Sequence, residues 1–347
     1  MSIVKQRKAT GKSLVILTGD IGGTNTRLQL TQFSDDNFDI LAIEKYKNAD
    51  FNDFKDIIVS FLAKHTNIIL QRACFAFAGP IVEGKVKLTN LPWYVTKEAL
   101  VCLLKTSHVY FINDFEAVGY STLLLKDEDY YELQPGRKCQ NGMKAIIGAG
   151  TGLGVALLNK VNEYHHVMAT EGGHVNFAPS DQLQQELLAH LQRKLHRVSN
   201  ERIVSGVGIT NIYKYIRTRP ENQDLESPKL NQLSMFSNNF AKDITEFALK
   251  HRDPIALQTL DIFIRCYGSI TGNLALTVLP YGGLYIAGGI APKLLSVMRD
   301  GRFVSAFLDK GRVSALISDI PIYIILNTQI ALMGAAYYAV YAAKEKV

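Results

Sequence analysis

Two stretches of this chain share an unusual design. Residues 14–17 are an apolar run that enters Gly19-Asp20-Ile21-Gly22-Gly23-Thr24-Asn25, after which an alternating strand pattern resumes. Residues 145–147 are a second apolar run that enters Gly148-Ala149-Gly150-Thr151-Gly152-Leu153-Gly154, and residues 155–158 continue as strand. A two-residue turn suffices to reverse a hairpin. These turns hold more glycine, hydroxyl and carboxylate than reversal requires. A third apolar run, residues 284–287, ends in Gly288-Gly289. Ligands of α/β proteins bind where strand ends converge. Glycine lets backbone N–H groups approach a ligand without Cβ interference, and successive N–H groups form anion-binding nests. Three such ends point to a large ligand with several anionic and polar parts.

The pattern around these turns predicts a mixed α/β fold, with the order βββαβαβα in the first part. Strands are expected at 14–18, 26–33 and 38–46. A helix is expected at 51–65, where Phe54, Ile57, Ile58, Phe61 and Leu62 recur at helical spacing. A strand at 72–78 ends in Gly79-Pro80, and residues 86–88 are extended. A helix at 96–104 has Thr96 as its N-cap, and a strand at 109–112 ends in Asn113-Asp114. The second cycle adds helices at 181–196, 205–217, 238–251 and 254–278, a surface loop at 222–232, and strands at 284–287 and 322–326. A closing helix at 330–344 is expected to pack on the first half.

Length and composition narrow the classes. A chain of 347 residues makes one large or two medium domains. Its four cysteines lie far apart with no CxxC spacing, which argues against a structural zinc site and suits a reducing compartment. No run of about 20 apolar residues exists, so no membrane span is expected, and the basic N-terminus holds no apolar run long enough for a signal peptide. The net charge of +6 is dispersed beyond the first dozen residues. That speaks against nucleic-acid binding and suits an anionic substrate. Gly11-Lys12-Ser13 imitates a phosphate-binding P-loop, but position 6 is Gln6 where the motif needs glycine. Residues 1–13 read as a basic N-terminal extension.

Four constellations can carry chemistry. Asp20 lies beside the N–H groups of Gly22 and Gly23 and the hydroxyl of Thr24. A carboxylate there repels phosphate unless a cation intervenes, which makes Asp20 a Mg²⁺ ligand through water, or else a turn former. The glycines of 148–154 fit no dinucleotide fingerprint, because the registers that begin at Gly148 and Gly150 meet Leu153 and Val155. They suit a strand–turn–strand phosphate cradle with Thr151 as a side-chain donor. Asp114 stands at a strand end beside Asn113, as a general base for an attacking hydroxyl or as a helix cap. Glu171 and His174 flank two glycines and have the hydrogen-bonding range to hold a polyol. Glu201 stands near a helix start, as a further ligand or as a first-turn acid matched to the helix dipole.

Taken in order, GDIGGTNTRL, FAGP, TNLPW, INDFEAV, GAGTGLG, EGGHVNFAP, ERIVSGVG, GNLAL, IAGGI and DKGR closely resemble the bacterial glucokinase family. This family belongs to the actin/hexokinase/heat-shock ATPase superfamily. The resemblance runs from about residue 14 to 338. It implies two α/β domains around a cleft: a small one over 14–114 with the C-terminal helix of about 330–347, and a large one over 115–329. It implies ATP-dependent phosphorylation of glucose at the 6-hydroxyl, with Asp114 as the base. Asn90, Asn113, Asp114, Glu171, His174 and Glu201 match glucose-binding positions. Gly19, Asp20, Gly22, Gly23, Thr24, Asn25, Gly148, Gly150, Thr151, Gly152, Gly288 and Gly289 match nucleotide-binding positions, with Asp20 toward Mg²⁺. The Cys-rich zinc motif of the related repressor/kinase branch is absent. A homodimer in the cytoplasm is implied as well. A kinase for another hexose, a sugar-sensing regulator and a nicotinamide-dependent oxidoreductase are the competing classes.

Overall fold

The computed structural model describes residues 13–66, 68–88, 91–225 and 227–342; Asn90 and all of the basic extension except Ser13 lie outside them. The chain forms two compact units. One comprises Met1–Leu125, Tyr164–Val167 and Gln329–Val347, the other Lys126–Glu163 and Met168–Thr328.

The first unit begins with the expected meander: β1 (Leu14–Ile21), β2 (Asn25–Ser34) and β3 (Asn37–Lys47). It continues through β4 (Arg72–Phe77), the short strands β5 (Ile81–Val82), β6 (Lys85–Lys87) and β7 (Tyr94–Thr96), and β8 (Val109–Asn113). The main sheet has the order β3-β2-β1-β4-β8, with β1, β4 and β8 mutually parallel. Both faces are covered, which is why its parallel strands read as continuous apolar runs. Leu17, Ile21, Phe75 and Phe77 face one core with the helix Phe54–Leu62. Their neighbours Ile16, Cys74 and Ala76 face another, with the helices Asp114–Ser121 and Ile330–Val340. This is the period-two alternation of a strand buried on both sides.

The remaining strands are β9 (Tyr130–Gln134), β10 (Lys144–Ala149), β11 (Leu153–Val161), β12 (Tyr164–Thr170), β13 (Gly283–Ala287) and β14 (Ile322–Ile325). Their sheet has the order β12-β11-β10-β13-β14-β9. The wiring repeats that of the first sheet: a strand enters a glycine turn, returns antiparallel, and pairs on its other side with parallel strands. Its core is built on Ala145, Ile147 and Ala149 and on the 25-residue helix Pro254–Val278.

Several local expectations need correction. The first helix starts later than residue 51, because Asp53 caps it: its side chain accepts from Lys55 N while Asp56 reaches back to Asp53 N. The expected loop at 222–232 is overlapped by a 3₁₀ turn, Pro220–Leu225, and by a helix, Pro228–Phe236. Ser227 caps that helix and Pro228 occupies its first turn, where a proline needs no N–H partner. β9 and β12 had no counterpart in the sequence reading; β12 is largely exposed and lacks an apolar signature. The first compact unit runs to Leu125. The helix Asp114–Ser121 stays with it because it packs against Ile330–Val340 at backbone distance.

That packing depends on Gly334. A Cβ there would sit 1.7 Å from the Ala117 carbonyl oxygen. Gly334→Ala is therefore expected to destabilise the fold by about 1–3 kcal/mol or more, read as a lower urea midpoint with an unchanged m-value.

Candidate active site

In the first unit, parallel pairing sets the positions. Ile21, Phe77 and Asn113 lie side by side at the ends of β1, β4 and β8. One sheet edge therefore carries the Gly22–Asn25 turn, Gly79-Pro80 and Asn113-Asp114. The turn is tightly held. Gly22 N donates to Asn25 O at 3.1 Å, and Asn48 N donates to Thr24 O at 3.0 Å. Asn48 Nδ2 donates to Gly22 O, and Thr26 Oγ1 donates to Asn48 Oδ1, each at 2.8 Å. Asn48 is only 1% exposed. The sequence reading missed it, because an asparagine in a polar stretch carries no signal of burial.

Gly19 is also required for packing. It lies inside β1 opposite Leu28, and a Cβ there would sit 2.7 Å from Phe75 Cδ1. It is a packing glycine, whereas Gly23 and Thr24 are exposed at the turn. Asp20 pairs with Arg27 across the hairpin, with Arg27 Nη1 3.7 Å from Asp20 Oδ2 and the Asp20 side chain 27% exposed. Burial raises the Asp20 pKa above its ordinary 3.8, and the Arg27 charge offsets part of that rise.

No group of three potential metal ligands occurs among the described residues. A phosphate-bound Mg²⁺ needs only one or two protein carboxylates and keeps its waters. Asp20, partly exposed next to the turn, fits that limited role.

Asn113 is the helix cap: its Oδ1 accepts from Phe115 N at 2.9 Å and Glu116 N at 3.3 Å. Asp114 is the first helical residue, and its Oδ1 accepts from Phe115 N at 2.8 Å. The capping role considered for Asp114 thus falls to its neighbour. Capping occupies the Asn113 oxygen, so the Asn113 amide nitrogen is the group that can donate to a ligand.

In the second unit, Gly148 lies within β10, between Gly154 on β11 and Ala287 on β13. The turn that follows leads into a strand and opens no helix. Ile290 N donates to Ala149 O at 3.3 Å, which brings the Gly288-Gly289 turn against the Gly150–Gly152 turn. Gly288 has φ +84°, and a Cβ there would sit 2.3 Å from Ala149 O, so both conformation and space require glycine. Gly150 and Gly289 face open space. A cavity of about 340 Å³ lies beside them, lined also by Thr151, Gly206, Lys242 and Lys293. The last three escaped the sequence reading, because only the fold brings them to the turns. A larger hollow of about 720 Å³ contains none of these turns. Its polar side is taken up by ion pairs such as Arg302 Nη1 to Asp261 Oδ1 at 2.7 Å.

Glu171, His174 and Glu201 come together in the same unit. Glu171 Oε2 is 3.7 Å from His174 Nε2, and Glu201 Oε1 is 4.0 Å from His174 Nδ1. Glu171 is 90% exposed, His174 53% and Glu201 27%, a gradient from an open to a walled side. The two glycines between Glu171 and His174 serve packing, since a Cβ on Gly173 would sit 1.8 Å from Leu153 O. Arg197 fixes the loop from outside, donating to His174 O and, at 2.8 Å, to Asn176 Oδ1.

Two sheets of the same wiring, glycine turns at their parallel strand ends, and a carboxylate–imidazole cluster suited to hydroxyls define a sugar kinase of the actin-like ATPase fold. A glucokinase family model matches residues 17–342. The chain is 44% identical over 338 residues to the glucokinase of Nostoc punctiforme, covering 94% of this chain and 98% of that one. It is 38% identical to the glucokinase of Synechocystis sp., covering 93% and 97%. A crystal structure of glucokinase from an Antarctic psychrotroph superposes with a TM-score of 0.81 at 32% identity, covering 93% of this chain and 98% of that one. The chain belongs to the glucokinase family.

The Asp20 environment yields a stability test. Because its folded-state pKa is raised, the folded state binds more protons than the unfolded chain above about pH 3.8. Stability therefore falls as pH rises from that value through the raised pKa, and the loss stays constant above it. Asp20→Asn is expected to raise Tm at pH 7, with the gain shrinking as pH falls through the raised pKa and gone below about pH 3.8, while turnover drops. Paired melting curves and rates across pH check this.

Proposed function

We propose that this chain transfers the γ-phosphoryl group of ATP to the 6-hydroxyl of D-glucose, giving glucose 6-phosphate and ADP, with Asp114 as the general base. The observation that carries the reading is the placement of Asp114 on the same sheet edge as the Gly22–Asn25 turn, one strand apart. Family membership supports ATP as donor and glucose as acceptor. A Balamuthia mandrillaris glucokinase of similar fold was solved with glucose, and a Streptomyces griseus one with glucose and AMPPNP.

The roles follow from the chemistry of the groups. Asp114 takes the proton as the sugar oxygen attacks. The Asn113 amide donates to a neighbouring hydroxyl. Glu171 and Glu201 accept from sugar hydroxyls, and His174 donates or accepts between them. Asn90, outside the described residues, is proposed as a further sugar ligand. The N–H of Gly23, with the hydroxyls of Thr24 and Thr151, holds phosphate oxygens, and the cavity next to Gly289, Lys242 and Lys293 takes the nucleoside. Mg²⁺, when bound with the nucleotide near Asp20, neutralises charge on the phosphates. A cytoplasmic homodimer is proposed from the same family resemblance.

Asp114→Asn is expected to lower kcat by about 10²–10⁴-fold, with glucose still bound and the helix cap on Asn113 intact. ADP release from Mg-ATP with glucose, mannose, fructose and N-acetylglucosamine, for both proteins, tests this. Turnover with another sugar moves the substrate; no turnover from folded protein that binds glucose overturns the kinase reading. Glu171→Gln is expected to raise the KM for glucose, and an unchanged KM would remove Glu171 from the sugar site.

A further inference from the structure

Glu201 faces two ways. Its Oε1 lies 4.0 Å from His174 in the cluster assigned to sugar, while its Oε2 accepts from Leu153 N at 3.0 Å. Leu153 directly follows the Gly150–Gly152 turn assigned to phosphate. The same segment holds the turn a second time, because Gly206 N donates to Gly150 O at 2.9 Å. Ser205 Oγ bonds back to Glu201 O at 2.6 Å and caps the helix Gly206–Ile216, so the segment between the two grips is itself fixed. Leu153 also meets the sugar loop from its other side, where its carbonyl oxygen fills the space beside Gly173. One short piece of backbone is thus shared by the two assigned sites.

From this we infer that Glu201 is a positioning residue that couples the two substrates. A sugar hydroxyl on Oε1 fixes the carboxylate, and the carboxylate fixes the phosphate turn through Leu153 N. Each substrate then binds more tightly when the other is present, by the same factor in both directions. The inference rests on the assignment of this cluster to sugar and of this turn to phosphate.

Gly152 provides a clean way to break the link. A Cβ there would lie 2.4 Å from Glu201 Oε2, and Gly152 is not in the left-handed region. Alanine is therefore accommodated by moving the end of a side chain, without moving backbone. Titration calorimetry would measure the glucose Kd with and without saturating Mg-AMPPNP, for wild type, Gly152→Ala and Glu201→Ala. The wild type is expected to show mutual tightening of about fivefold or more, falling to within about twofold of none in both variants. A merely structural role would shift Tm and both affinities yet leave the coupling factor intact. Wild-type binding of both ligands without coupling, or full coupling retained in either variant, overturns this inference alone. Failure of the wild type to bind glucose overturns the sugar assignment and this inference with it.

Discussion

Parallel strand pairing is the constraint on which the rest of this structure depends. Neighbouring parallel strands finish at the same sheet edge, so whatever follows each strand is delivered to one place. In the first unit this sets the Gly22–Asn25 turn near Asp114, with β4 between them. In the second it sets the Gly150–Gly152 turn against Gly288-Gly289. The chemistry-bearing residues are scattered over some 270 positions from Asp20 to Gly289, and their grouping within each unit follows from the ladder of hydrogen bonds.

The glycines divide into two kinds that look alike in sequence. Gly22, Gly23, Gly150 and Gly289 leave backbone accessible at turns. Gly19, Gly173 and Gly334 make room for a ring or a carbonyl oxygen of a neighbouring segment. Gly152 belongs to neither group cleanly, since the space a side chain would fill is taken by the Glu201 carboxylate. The motifs are glycine-rich for two separate reasons, close packing and ligand approach, and only the second concerns the substrate directly.

This division explains what could be read from sequence. Strands buried on both faces announce themselves as apolar runs, so β1, β4, β10 and β13 and the turns that end them were legible. Glu171, His174 and Glu201 were recognised by type, and their mutual approach required the fold. The packing role of Gly19 was not legible, because its neighbour Phe75 lies 56 positions away in sequence. Asn48, Lys242 and Lys293 were missed for the same reason: their partners are distant and their local surroundings ordinary. The helix Pro228–Phe236 carried a Ser-Pro start signal in Ser227-Pro228, but its polar composition outweighed it.

Asn48 has a thermodynamic consequence for ligand capture. Its buried side chain and its own N–H anchor the Gly22–Asn25 turn from the end of β3. A glycine-rich turn would otherwise lose much conformational freedom on closing around an anion, and that loss would subtract from affinity. Here the loss is incurred when the chain folds, so the N–H groups meet an incoming phosphate already oriented. The flexibility that glycine gives the unfolded chain is thus absent from the turn by the time a ligand arrives.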